Sequence, residues 1–131
     1  MEETICLKPI GVIRSPLASR EEAPRQGSEA DITGTILVEE RYAEALLGIE
    51  PGQEIDVICW MHLADREALR VHPRGDVTRP MRGVFSTRSP DRPNPLSIER
   101  VEVLAVEGTR ITVKGLDAVD GTPVIDIKRR M

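Results

Sequence analysis

Three stretches of this 131-residue chain concentrate side chains suited to chemistry. The first is Pro24-Arg25-Gln26-Gly27. A guanidinium fork beside an amide that both donates and accepts can read a carboxylate or a base edge, although four such residues also make an ordinary surface turn. The second runs from Gly83 to Pro95, where Pro90, Pro93 and Pro95 stiffen a segment carrying Ser86, Thr87, Arg88, Arg92 and Asn94. Proline lowers the entropy cost of holding polar groups in one geometry, which favours a recognition loop over a solvated one. The third runs from Leu116 to Lys128 and spaces Asp117, Asp120 and Asp126 among apolar residues. Such carboxylates can accept hydrogen bonds from hydroxyl or amino groups, or take a proton if burial raises their pKa. Turn chemistry at Asp120-Gly121 is the plainer alternative.

Other chemistries are disfavoured. His62 and His72 are the only histidines and there is no Cys-x-x-Cys pair, so no metal is expected. No Gly-x-Ser-x-Gly elbow occurs, and neither Cys6 nor Cys59 lies in a nucleophile motif. Both cysteines sit in apolar stretches and are expected to be reduced core residues of a cytoplasmic protein. With Tyr42, Trp60 and Phe85 as the only rings, there is little material for a sugar cleft or a base-stacking platform. The glycine-rich turns of dinucleotide and P-loop folds are absent. The longest apolar run, 57–61, is far short of the ~20 residues needed to span a bilayer, and the acidic start Met1-Glu2-Glu3-Thr4 does not resemble a targeting segment.

The net charge of −4 hides an asymmetry. Between Arg66 and Arg92, seven arginines (66, 70, 74, 79, 82, 88, 92) face Glu67, Asp76 and Asp91, a local balance of +4. Fifteen of the 18 basic residues are arginine, the side chain suited to bidentate anion recognition. This segment is either a solvated loop or an anion-facing surface on an acidic protein.

These side chains need a scaffold, and the apolar pattern supplies short strands. Strands are expected over 5–13 (bent or at an edge, because of Pro9 and Gly11), 34–39, 54–63, 98–107, 111–116 and 124–128. In 54–63, Ile55, Val57, Cys59 and Met61 share one face and Asp56, Ile58, Trp60 and His62 the other. A hairpin is expected at Gly108-Thr109 and one short helix over 40–49. Residues 15–31 read as a long loop, a length usually reserved for function. Six strands without a βαβ rhythm give an all-β fold: a small closed or partly open β-barrel with one short helix and long functional loops, in a single domain, 1–131.

The chain resembles the TrmO (TsaA-like, YaeB-like) family of S-adenosylmethionine-dependent tRNA methyltransferases. The resemblance is carried, in the family's order, by Ile10-Gly11-Val12-Ile13-Arg14-Ser15-Pro16, Pro24-Arg25-Gln26, Gly83 to Pro90, Arg92-Pro93-Asn94-Pro95 and Asp120 to Lys128. It implies a dimeric β-barrel that binds S-adenosylmethionine near the subunit interface. The cofactor residues it implies are Pro24, Arg25, Gln26, His62, Leu63, Arg88, Ile98, Leu116 and Asp117. It further implies methylation of N6 of threonylcarbamoyl-adenosine beside the tRNA anticodon. The arginine segment fits such a partner, and Asp120 and Asp126 are the candidates to accept the proton of the methylated nitrogen. The alternatives are a non-catalytic S-adenosylmethionine-binding module and a methyltransferase acting on a small molecule. Two departures stand out. After Arg-Pro-Asn-Pro the family usually has an apolar residue, Gly, an apolar residue and Ser, whereas this chain has Leu96-Ser97-Ile98-Glu99, placing an extra carboxylate near the implied pocket. The chain also ends at Met131, where longer members carry a further carboxy-terminal domain.

Overall fold

Alternation of β-branched residues with polar ones builds a six-stranded antiparallel barrel. A computed structural model describes residues 4–17 and 32–131. The barrel strands are β1 (Gly11–Arg14), β2 (Thr33–Val38), β3 (Glu54–Trp60), β6 (Leu96–Glu107), β7 (Arg110–Lys114) and β8 (Pro123–Arg129), closed in the order β1-β2-β7-β6-β3-β8. Two short strands, β4 (Arg70–Val71) and β5 (Arg82–Gly83), pair with each other outside it. Ile13, Ile36, Ile55, Val57, Cys59, Val103, Ile111, Val113 and Val124 are fully buried, as the period of two requires. Closure leaves no barrel strand with an unpaired edge.

The topology decides where the connections emerge. Successive strands run up and down, so the segments 15–32, 61–95 and 115–122 all leave one rim, here called the upper rim. The 39–53 connection and the turn at 108–109 lie at the other. Leu116 plugs the upper end of the core, with its amide and that of Gly115 bonded to the Ile32 carbonyl. The 117–122 segment is laced to β1 and the residues after it: the Gly121 amide donates to the Ile13 carbonyl at 2.8 Å and that of Asp120 to the Leu17 carbonyl at 2.8 Å.

The all-β class, the closed barrel and all six barrel strands match the sequence reading, with several corrections. The first strand starts at Gly11, not Ile5, and Ile5, Leu7 and Cys6 are exposed. Pro9 has no amide to donate to a ladder, and the barrel interior is already filled by inward residues of the six strands. Cys6 is therefore not a core residue, whereas Cys59 is. The expected helix is a 3₁₀ helix over Glu40–Leu46 with no fully buried residue; Tyr42 and Leu46 are half-buried against the core. Most of the expected 15–31 loop lies outside the described residues, as do Pro24, Arg25 and Gln26. Strands β4 and β5 were not legible, since two-residue pairings carry no periodicity.

Gly34 of β2 makes room for the plug. A Cβ there would stand 2.6 Å from Leu116 Cδ2 and 3.0 Å from the Arg14 carbonyl oxygen. Gly34→Ala should therefore cost about 1–3 kcal/mol of stability by overpacking. Urea unfolding monitored by Trp60 fluorescence checks this, and an unchanged midpoint contradicts the plug.

Candidate functional site on the upper rim

The longest connection on the rim, 61–95, is organised by its own polar groups. The Met61 amide donates to the Pro95 carbonyl at 2.7 Å, bringing the two ends of the segment together. The Asp65 amide donates to Asp91 Oδ1 at 2.8 Å. Arg66 reaches the Pro93 carbonyl through Nε at 2.9 Å, with its guanidinium 5.0 Å from the centre of the Trp60 ring. Arg92 is the builder of the proline-rich loop: Nε donates to the Ser89 carbonyl at 2.7 Å, and one terminal nitrogen donates to the carbonyls of Val84 at 2.7 Å and Thr87 at 2.5 Å. The planar, multi-donor guanidinium is suited to tying three carbonyls together from one side chain.

Arg88 differs in kind. It is exposed and has no hydrogen bond or ion pair among the described residues. The sequence presented Arg88 and Arg92 alike; the structure makes one a scaffold and leaves the other available to an anion. His62 and Leu63 are exposed just beyond the end of β3. Arg70, Arg79 and Arg82 are exposed on and beside the β4–β5 pair, with His72 Nδ1 2.9 Å from the Arg79 carbonyl oxygen.

In the mouth of the barrel the core turns polar. Across the β3–β6 pair, Val57 opposes Glu99 and Cys59 opposes Ser97. Glu99 is buried, 7% exposed, and its Oε1 accepts a long 3.4 Å hydrogen bond from the Asp117 amide. The Ser97 hydroxyl donates to Met61 Sδ at 3.2 Å. Desolvation, reinforced by the hydrogen bond and charge of Asp117, pushes the Glu99 carboxyl up to about 9, so it is protonated at neutral pH. Burial, with the charges of Glu99 and Asp117, pushes the Cys59 thiol well above its ordinary range and makes it inert.

The expected site residues are thus sorted. Leu116 and Asp117 stand together on the rim, Leu116 buried and Asp117 half-buried against Glu99. Arg88, His62 and Leu63 belong to the 61–95 connection leaving that rim. Ile98, 54% exposed, points away from Glu99 to the outer wall, where it pairs with Ile58. Asp120 is on the rim but engaged: its Oδ1 accepts from the Ser15 amide at 3.1 Å and its Oδ2 lies 3.6 Å from Arg14. Asp126 pairs with Ile58 in the β3–β8 ladder and lies 3.4 Å from Lys128, so the two expected bases are on different surfaces. Sequence reasoning flagged Glu99 as a departure but not its partnership with Asp117. The signal was there: Glu99 falls on the inward period of Val101 and Val103. It also missed an outer groove of about 610 Å³, lined by Ile5, Leu7, Trp60, Leu96, Ile125 and Arg66 among others.

Glu99 gives the fold a defined pH signature. Folded, the carboxyl keeps a proton that the unfolded chain releases above its ordinary pKa, so the native state binds more protons and its stability falls as pH rises toward about 9. Glu99→Gln removes that titration. The variant should gain stability over the parent on going from about pH 5 to pH 8, by an amount on the order of 4 kcal/mol. Parallel pH–stability curves for the two proteins would contradict a buried, neutral Glu99.

The comparisons with known proteins agree with this architecture. The model of the tRNA-methyltransferase O N-terminal domain matches residues 12–130. An S-adenosyl-L-methionine-binding protein of Archaeoglobus fulgidus is 50% identical over 123 residues, covering 94% of this chain and 87% of that protein. A probable S-adenosyl-L-methionine-binding protein of Methanothermobacter thermautotrophicus is 48% identical, covering 95% and 88%. The crystal structure of TrmO from Pseudomonas aeruginosa superimposes with a TM-score of 0.80 at 31% identity, covering 98% of this chain and 57% of the TrmO chain. This chain thus spans little more than half the length of that enzyme. With a family model matched over 12–130, relatives near 50% identity and a superimposable barrel, the chain belongs to the TrmO N-terminal-domain family.

Proposed function

We propose that the chain is an S-adenosylmethionine-dependent methyltransferase that acts on N6 of threonylcarbamoyl-adenosine in tRNA, with the donor held on the upper rim. The observation that carries this reading is the exposed Arg88, without a partner among the described residues, on a loop fixed by Arg92 and on the same rim as the acidic pair Glu99 and Asp117. The donor carries a carboxylate, an amino group, a sulfonium and ribose hydroxyls. Arg88 suits the carboxylate, Asp117 suits hydroxyl or amino groups, and exposed Leu63 offers apolar surface, with Leu116, in the set by resemblance, buried beneath Asp117. Pro24, Arg25, Gln26 and His62 complete the proposed set by resemblance to the family; Ile98, implied with them, faces the outer wall. The named relatives are described as S-adenosyl-L-methionine-binding, which supports the same ligand here.

Bound there, the donor supplies an electrophilic methyl carbon; the chain's task is to align the acceptor and keep water out. The rigid 83–95 loop is suited to both. A carbamoylated N6 is a poor nucleophile because its lone pair is delocalised, so some group must accept or share its proton. Asp120, on the rim in the same segment as Asp117, is the proposed acceptor; Asp126 lies on the outer wall, apart from a donor held on the rim. The exposed Arg70, Arg79 and Arg82 would engage the phosphates of the anticodon stem-loop. Arg92 is excluded from that role by its three carbonyl partners. Exposed Leu96 and Ile98 beside the outer groove support a homodimer, and a tRNA acceptor implies a cytoplasmic setting. One observation favours the second reading, a non-catalytic binding module: both candidate bases already have basic partners, Arg14 and Lys128.

Titration calorimetry should give one S-adenosylmethionine site per chain, weakened at least about tenfold, or roughly 1.4 kcal/mol, by Arg88→Ala. Unchanged affinity removes Arg88 from the site. Radiolabelled methyl should pass to tRNA carrying the threonylcarbamoyl group and not to tRNA lacking it, and joint alanine substitution at 70, 79 and 82 should abolish transfer at moderate salt. Label in neither tRNA, from protein that binds the donor, rejects the tRNA acceptor and leaves the binding module or a small-molecule acceptor. Light scattering should report twice the 14.5 kDa chain mass; a monomer at micromolar concentration refutes the dimer.

A further inference from the structure

Glu99 is a problem the barrel did not need to create. An inward position between Cys59, Ser97 and Val101 would be filled at no desolvation cost by a small or apolar residue, yet it carries a carboxyl group that is 7% exposed. The titratable groups facing it are Asp117, from the segment joining β7 to β8, and Cys59, from β3; Ser97 is on its own strand and Val57 opposes it. None of these is cationic, and no ion pair to Glu99 occurs among the described residues. Its carboxyl group accepts a long 3.4 Å contact from the Asp117 amide, and the Asp117 and Ser97 side chains are its other polar neighbours. Among the described residues, Glu99 and Asp117 therefore form an acid pair with no cationic partner for Glu99, at the place on the rim where the donor is proposed to sit.

The methyl donor and its spent form differ by a unit charge close to the reacting atom. The donor is a cationic sulfonium; after transfer, a neutral thioether remains. We propose that Glu99 is the charge-sensing, specificity-determining residue of the donor site: its carboxyl ionises against the sulfonium and stays protonated against the thioether. Rim binding of a cation places a favourable charge beside a carboxyl that burial alone keeps neutral. The proton leaves Glu99 for solvent as the donor enters, and returns from solvent once the sulfonium is gone. No bond other than O–H is made or broken in this cycle. The pair is thus tight for the donor and loose for the product, which favours exchange of one for the other. The proposal rests on the reading of the rim as the donor site, and it adds a role to a residue at which this chain departs from the family pattern.

Calorimetry in two buffers of different ionisation heat counts the protons exchanged on binding and needs no catalytic turnover. S-adenosylmethionine should release more protons than S-adenosylhomocysteine; the amino group common to both ligands cancels in the difference. The preference of the wild-type protein for the sulfonium over the thioether should rise with pH, by up to about tenfold per unit between roughly pH 6 and pH 8. In Glu99→Gln, which keeps the side-chain shape, both the extra proton release and the pH dependence of the preference should vanish. Equal proton release for the two ligands in the wild type overturns the proposal without reference to any variant. So does an extra release that survives Glu99→Gln. Failure of the wild type to bind either ligand overturns the donor-site reading itself, an outcome distinct from binding without proton release.

Discussion

Closure of six antiparallel strands is the constraint on which the rest depends. A barrel closed in the order β1-β2-β7-β6-β3-β8 sends every second connection to the same rim, so three segments far apart in sequence are delivered together. The opposite rim receives the 39–53 connection and a tight turn in which Gly108, at φ 62°, supplies the left-handed backbone. Long polar segments can thus diversify on one side while the β-branched interior beneath them holds the geometry. The core does not merely coexist with the site: Leu116 ends the hydrophobic interior, and its chain neighbour Asp117 starts the polar rim.

At that boundary two requirements compete. Packing favours an apolar mouth to the barrel, whereas recognition of a charged ligand favours a polar one. Glu99 settles the conflict by remaining neutral in the free protein, at the expense of stability as pH rises. Ser97 and Met61 soften the transition by satisfying each other, and Cys59 is small enough to lie under both. A second compromise sits in the 83–95 loop, where Arg92 is consumed as scaffold while Arg88 stays exposed.

What the sequence revealed follows from which forces are local. Period-two alternation in 54–60 and 98–103 reports directly on one buried face, so the barrel strands were legible to within a few residues. Cys6 misled because an apolar neighbourhood in sequence does not say whether the interior has room for it; Ile5 and Leu7 lie outside the barrel with it. Arg88 and Arg92 share composition and spacing, and only the carbonyls arranged by the folded loop separate them. Asp120 and Asp126 are six residues apart, yet they fall on different surfaces because a strand begins between them. The motifs identified the family; they did not reveal that Glu99 and Asp117 meet, since that contact joins β6 to a loop eighteen residues away.

The central claim is that one rim of the barrel, and not its outer wall or its opposite end, holds the methyl donor. Hydrogen–deuterium exchange with and without S-adenosylmethionine tests it across the whole chain at once. The account predicts slowed exchange in 15–32, 61–65, 84–95 and 115–120, with the 39–53 connection and the 108–109 turn unchanged. Protection confined to the outer groove around Trp60 and Leu96, or to the lower rim, would contradict it.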